Sequence, residues 1–470
     1  MTSSVSLEQK YTSSNDIWTD RNWKLSLQIA GVIQLACIRS LYLWMTVTAL
    51  EPVWYPGSGG YGIEFSPIKE IPSLALFIIS SVAISPLFYK RKVDFTEMCA
   101  GLLFIVYYVP LSTSYAIHDL GAGYFLGSNL FALLLIYLLS RGCQSDRNEK
   151  KNISDFLDNK TINSICILIC ILIIIYKIFY NGFSINLSLD SEDVYANRAD
   201  FLTYKNGISG TFAAYLITFF LSLANYIVPV YLYATLQRKN YFGSILGLYA
   251  TLSIFSLSSS KSSIYFMAIL LFVLLAQRLG NSLNNPFPVL LTCFLLLMGI
   301  GLISYVAFKS DWLYMAIIRR AMYMPVWIGT MYFDFFGNNT PLFFSDSAML
   351  LQNIMPSQYD SGVLTLISNT YFNGVVPSPN SGLLSEAVMQ LGVIGLVVYP
   401  VVLSALLRRC GTVYSCFGQG LSLVIAAKLT MQLMNVPFLR TDFVLSFFAF
   451  SILIAFLMHG RGGTACVQKN

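Results

Sequence analysis

Charge is scarce in this chain. Aspartate, glutamate, lysine and arginine make up 11% of its 470 residues, against about 25% in a typical soluble domain. With 56% hydrophobic residues and a mean hydropathy of +0.64, a soluble domain is excluded. Histidine is scarcer still, with only His118 and His459, far apart. No His-Glu-x-x-His or Cys-x-x-Cys motif occurs, which argues against a transition-metal site built from protein ligands, and no cofactor is expected. The nine cysteines avoid every segment expected on the outer face, so no disulfide framework is implied. A secretory leader is also missing from the expected picture. Residues 1–22 are polar, and the first apolar run, 23–50, is too long for a signal peptide. The two halves show no internal repeat, which argues against a pseudo-symmetric transporter.

What is present is a series of apolar runs near the length that crosses a bilayer, about 20 residues each. The expected fold is all-α, a polytopic integral membrane protein forming one membrane domain over 1–470. About twelve spans are read: 23–50, 73–89, 97–117, 121–140, 161–180, 208–236, 241–257, 263–277, 286–308, 383–407, 417–434 and 442–458. With both termini cytoplasmic, most of the 29 basic residues fall on inner segments, as the bias of lysine and arginine toward the cytoplasm requires. The net charge of +6 is then a matter of topology and needs no nucleic-acid partner.

Two outer segments are long, 181–207 and 309–382, and the second is expected to carry an amphipathic interfacial helix over 311–335. Trp312, Met315, Tyr323 and Trp327 are its expected anchors. Eight basic residues fall on outer segments against the charge bias, and four of them form the set of interest: Arg198, Lys261, Arg319 and Arg320. Arginine forms bidentate bonds to phosphate oxygens and lysine acts as a point charge. An isolated outer arginine also serves to bind lipid headgroups, or to pair with Asp311 or Asp334. Lys261 tips the balance. It lies in Ser258-Ser-Ser-Lys-Ser-Ser263 between two apolar runs, where irregular backbone is tolerated only in protein or beside a cavity. The set reads as an anion cradle.

Arg39, Lys177 and Lys428 fall inside spans, at about 2.5–3.5 kcal/mol each for a central position. Arg39 and Lys428 either face a cavity or pair with carbonyls or a carboxylate, while Lys177, near a span end, is expected to snorkel. Glu386 opens the tenth span, where the helix dipole alone would favour a carboxylate. Gly392 and Gly395 follow it and permit close helix contact.

These features together resemble the O-antigen polymerases, the Wzy-type oligosaccharide repeat-unit polymerases. The likeness rests on topology and on Arg198 within Tyr195-Ala-Asn-Arg-Ala-Asp-Phe201, the serine-flanked Lys261, Arg319-Arg320, and Asn380…Glu386…Gly392…Gly395. Gly210 after Arg198 and Gly329 after Arg319 lie near the arginine-to-glycine spacing of some members. The resemblance implies a GT-C-like, metal-independent glycosyltransferase at the periplasmic face of the bacterial inner membrane. It would polymerise undecaprenyl-pyrophosphate-linked repeat units into O-antigen or a similar surface polysaccharide. Arg198, Lys261, Arg319 and Arg320 would hold the pyrophosphate and stabilise its departure. Glu386 would take the acceptor's proton, and Tyr195 and Tyr323 would stack on sugars. Implied partners are the lipid-linked donor and acceptor, membrane lipids and a Wzz-type chain-length regulator. The alternatives are an O-antigen ligase, whose large loop typically carries a histidine, and a flippase for the lipid-linked oligosaccharide.

Overall fold

The computed structural model describes residues 5–50, 62–90, 92–142, 160–183, 200, 211–258, 270, 273–274, 285–310, 314–345, 358–359, 361–374, 382–414, 419–436 and 447–453. Among them the regular structure is entirely helical. In chain order the helices are α1 (Val5–Leu50), α2 (Pro67–Ile84), α3 (Phe95–Ile117), α4 (Ala122–Ser140), α5 (Lys160–Asn181) and α6 (Thr211–Gln237). They continue with α7 (Tyr241–Ser258), α8 (Phe287–Phe308), α9 (Met324–Asn338), α10 (Val363–Phe372), α11 (Leu383–Tyr414) and α12 (Gln419–Asn435). A π-helical stretch, Tyr314–Tyr323, runs into α9.

Among the described residues eight helices are long and apolar enough to cross a membrane, so the chain is a multi-pass, all-α membrane protein. They lie within α1 to α6, α8 and α11, and match eight of the spans read from sequence. The run at 241–257 is a shorter apolar helix, and α12 covers the run at 417–434. Of 263–277 only residues 270, 273 and 274 are described, and of 442–458 only 447–453.

The helix ends sort into two groups, as alternating crossings require. At one end Tyr305 donates to the Thr48 carbonyl at 3.0 Å, and the backbone N–H groups of Glu64 and Ser66 reach the carbonyls of Ile117 and Ala116. At the other, Asn285 donates to the carbonyls of Leu87, Phe88 and Lys90, and Arg408 to that of Leu138. The Tyr314–Tyr323 stretch, which holds Arg319 and Arg320, lies at the first end, where Tyr314 meets Thr46.

α3 is the axis of the bundle. Of its apolar stretch 94% is buried, against 22% for α8, whose Leu296, Ile300 and Ile303 point outward. Asp94 and Glu97 close a capping box at its start. Phe104–Tyr108 widens into a π-turn, with Val109 N–H bonded to the Phe104 carbonyl. Pro110 supplies the cause, having no N–H to give and a ring that crowds the preceding turn. Before the bulge α3 packs on α4, α11 and α12, and after it chiefly on α1 and α2, with α4 and α9 beside them.

α2 starts earlier than its hydropathy suggests, at Pro67 rather than near residue 73. Ser66 caps it and Pro67 suits the first turn. Glu70 belongs in the helix because Arg39 of α1, only 1% exposed, meets it with two bonds, at 2.5 and 2.9 Å. Arg39 also donates to the Ser112 hydroxyl at 3.0 Å and its carbonyl at 3.3 Å, and lies over the Phe77 ring. Of the two roles open to Arg39, the structure shows pairing. One guanidinium thereby joins α1, α2 and α3. Lys177, near the end of α5, reaches past that end to donate to the Gly182 carbonyl at 2.7 Å. Lys428 is buried in α12.

Arg39→Met alone is expected to cost about 3–5 kcal/mol, since it strands Glu70 among apolar neighbours. Arg39→Met with Glu70→Met should recover most of that loss in thermal unfolding of the detergent-solubilised protein. A single variant as stable as the parent would show that the pair carries little.

Candidate functional site

The stretch 314–345 lies across the outer end of the bundle as a roof. Tyr314 ties it to α1 by donating to the Thr46 hydroxyl at 2.9 Å. Farther on, Phe333 of α9 packs edge-on against Tyr124 of α4. α10 covers α9, with Phe372 set edge-on to Trp327 at 5.5 Å between ring centroids. The expected interfacial helix is thus helical but differently used. Tyr323 and Trp327 are 2% and 4% exposed, stacked on each other and enclosed by protein, where lipid anchors would be open. Tyr323 is likewise closed to a sugar face in this conformation.

Beneath the roof, α11 is broken. Gly392 has φ 58° and ψ −144°, a conformation that L side chains rarely adopt. A broken helix leaves carbonyls without their N–H partners, and buried carbonyls need donors. The segment after α9 supplies them. The N–H groups of Leu342 and Phe343 donate to the carbonyls of Met389 and Gln390 at 2.9 and 3.0 Å, and that of Phe344 to the Gln390 side chain at 2.8 Å. Pro341 covers Gly392 so closely that a Cβ there would lie 2.9 Å from its ring. Both glycines permit close approach, Gly392 to the segment after α9 and Gly395 to an earlier turn of its own helix. A Cβ on Gly395 would meet the Ala387 carbonyl at 2.0 Å.

Glu386 sits in the first turn of α11, fully buried, with Ser385 and Gln390 also buried beside it. Its Oε2 accepts the hydroxyl of Tyr399, thirteen residues on. In a straight helix those residues would stand roughly 20 Å apart along the axis, so the break makes this pair. Sequence periodicity therefore gave no sign of Tyr399; the visible signal was the close pair Gly392 and Gly395.

His118 ends α3 at the same end of the bundle, 7% exposed. Its Nδ1 lies 3.1 Å from the Gly62 carbonyl, which can only accept, so Nδ1 carries the proton. Burial pushes the imidazole down to about 4, so Nε2 is bare at neutral pH and accepts the Tyr323 hydroxyl at 3.3 Å. His118 is outside the segment 309–382 but pins it, a role the sequence reading did not assign.

Arg319 and Arg320 lie in the π-helical stretch, both partly exposed. Gly329, farther along the roof, is the residue near Ser385, where a Cβ would come within 3.7 Å of its hydroxyl. The arginines are thus on the element that covers Glu386, but roughly two to three helical turns from that contact. Asp334, the other partner considered for them, accepts the Tyr371 hydroxyl at 2.7 Å. Tyr195, Arg198 and Lys261 lie outside the described residues.

Comparison with protein-family models, with curated proteins and with solved structures returned no match.

Unfolded, His118 titrates near 6.5; folded, near 4. Between these values the unfolded chain binds more protons, so stability is fully present above about pH 6.5 and declines toward pH 4, by on the order of 3 kcal/mol. His118→Gln, which does not titrate, should flatten that part of the melting-temperature profile. An unchanged slope in the variant would assign the acid loss to other groups.

Proposed function

We propose that the chain is a glycosyltransferase that polymerises undecaprenyl-pyrophosphate-linked repeat units into O-antigen or a similar surface polysaccharide. It would work at the periplasmic face of the inner membrane, with about twelve crossings and both termini cytoplasmic. The observation that carries the reading is the buried carboxylate of Glu386 at a helix break, under a roof that bears two partly exposed arginines. An ionisable residue within a membrane helix is expensive and marks function by default.

In the proposed step, the acceptor's hydroxyl oxygen bonds to the anomeric carbon of the donor glycan. The bond from that carbon to the phosphate oxygen breaks, and its electron pair leaves on undecaprenyl pyrophosphate. The hydroxyl proton passes to the Glu386 carboxylate. Arg319 and Arg320, with Arg198 and Lys261, would neutralise the charge growing on the leaving group. Because Glu386 is 0% exposed, the acceptor can reach it only if the roof is displaced.

One observation favours a second reading, an O-antigen ligase: His118 touches the large outer segment. Both ring nitrogens are committed, however, to Gly62 and to Tyr323, which fits a structural histidine. A flippase would bind the same pyrophosphate, so the arginines do not separate it from a polymerase; the lack of a repeat between the two halves argues against it.

Deleting the gene in its host and running the surface polysaccharide on a gel separates these readings. A single repeat unit on the core is the expected result, whereas a bare core would sink the polymerase reading. Arg319→Ala, Arg320→Ala and Lys261→Ala, at normal protein levels, should each lower chain extension about 100-fold to 1,000-fold. Full-length polymer from all three would remove the pyrophosphate role.

A further inference from the structure

The Glu386–Tyr399 pair is built by more of the chain than two residues. A carboxylate taken wholly out of water needs hydrogen-bond donors. The donor comes from the far side of the Gly392 break. Gly395 lets the second part of α11 close on Ala387, one residue beyond Glu386. Tyr399, 7% exposed, is steadied by the Phe131 ring of α4 at 6.1 Å between centroids. The roof's Pro341–Phe344 segment (residues 341–344) fixes the break itself through three backbone N–H bonds and the Pro341 contact. A turn of α11 that only capped itself would need none of this.

We infer that Tyr399 is a positioning residue for Glu386: its O–H holds Oε2 and so sets the plane in which the carboxylate meets the acceptor's hydroxyl. The inference rests on the reading of Glu386 as the base. A general base must be held within hydrogen-bond reach of its proton in a defined orientation, and misplacement by about 1 Å costs on the order of 100-fold in rate. A tyrosine that acts through the base is read on turnover, with substrate binding unchanged.

The test uses the full chain in lipid nanodiscs, with lipid-linked repeat units extracted from the host membrane as the probe. Tyr399→Phe is expected to lower kcat about 10-fold to 100-fold, with KM unchanged; the melting temperature should also fall, because the buried carboxylate loses a donor. In a Glu386→Gln background the same substitution should do nothing further to the residual turnover. Equal losses in both backgrounds, or parental kcat in Tyr399→Phe, overturn the inference. So does a loss confined to KM. If Tyr399→Phe fails to accumulate, difluorotyrosine placed at 399 keeps the ring and changes only the donor strength; kcat should move with KM fixed, and an unchanged kcat counts against the role. Full turnover by Glu386→Gln removes the base and this inference together. An inactive Glu386→Gln beside a normal Tyr399→Phe removes this inference alone.

Discussion

A helix that breaks inside an apolar environment must find hydrogen-bond donors for the carbonyls it frees, because no water is there to supply them. In α11 that requirement organises the outer half of the molecule. The carbonyls of Met389 and Gln390 are met by the N–H groups of Leu342 and Phe343, so the roof is fastened to the break by backbone bonds that side-chain exchanges there, proline apart, leave in place. The same break turns the helix back on itself, buries Glu386 and delivers Tyr399 to it. Roof, break and carboxylate form one unit.

Much of the architecture was legible because hydropathy and bilayer thickness are strong constraints. Eight of the spans read from sequence appear as membrane-length helices. The boundary of α2 was misjudged because Lys69, Glu70 and Pro72 look like loop residues; the compensating charge, Arg39, is on a different helix. The roof was misjudged for a related reason. Trp and Tyr on an amphipathic stretch suit a lipid interface and a protein interior equally, and only the covering by α10 and His118 decides. Glu386 was visible as an odd carboxylate at a helix start, whereas its partner was hidden by a kink that periodicity cannot express.

Buried charge is handled in two ways. Arg39 is surrounded by acceptors, and its guanidinium spends its donors on Glu70 and Ser112. His118 is kept uncharged, with one nitrogen donating and the other accepting. Both fasten elements at the outer end of the bundle: the first holds α1, α2 and α3 together, the second holds the roof to α3. The outer end is therefore joined in part through polar contacts of buried ionisable side chains.

The widened turn at Phe104–Tyr108 sets how α3 is shared. Each residue advances a helix by about 100°, so one extra residue in a turn swings everything beyond it to a new compass bearing. α4 lines both halves of α3, while α11 and α12 line the first and α1, α2 and α9 the second. A single rod thus serves partners that change along its length. Straightening it would turn one half of the molecule against the other like a mis-set key.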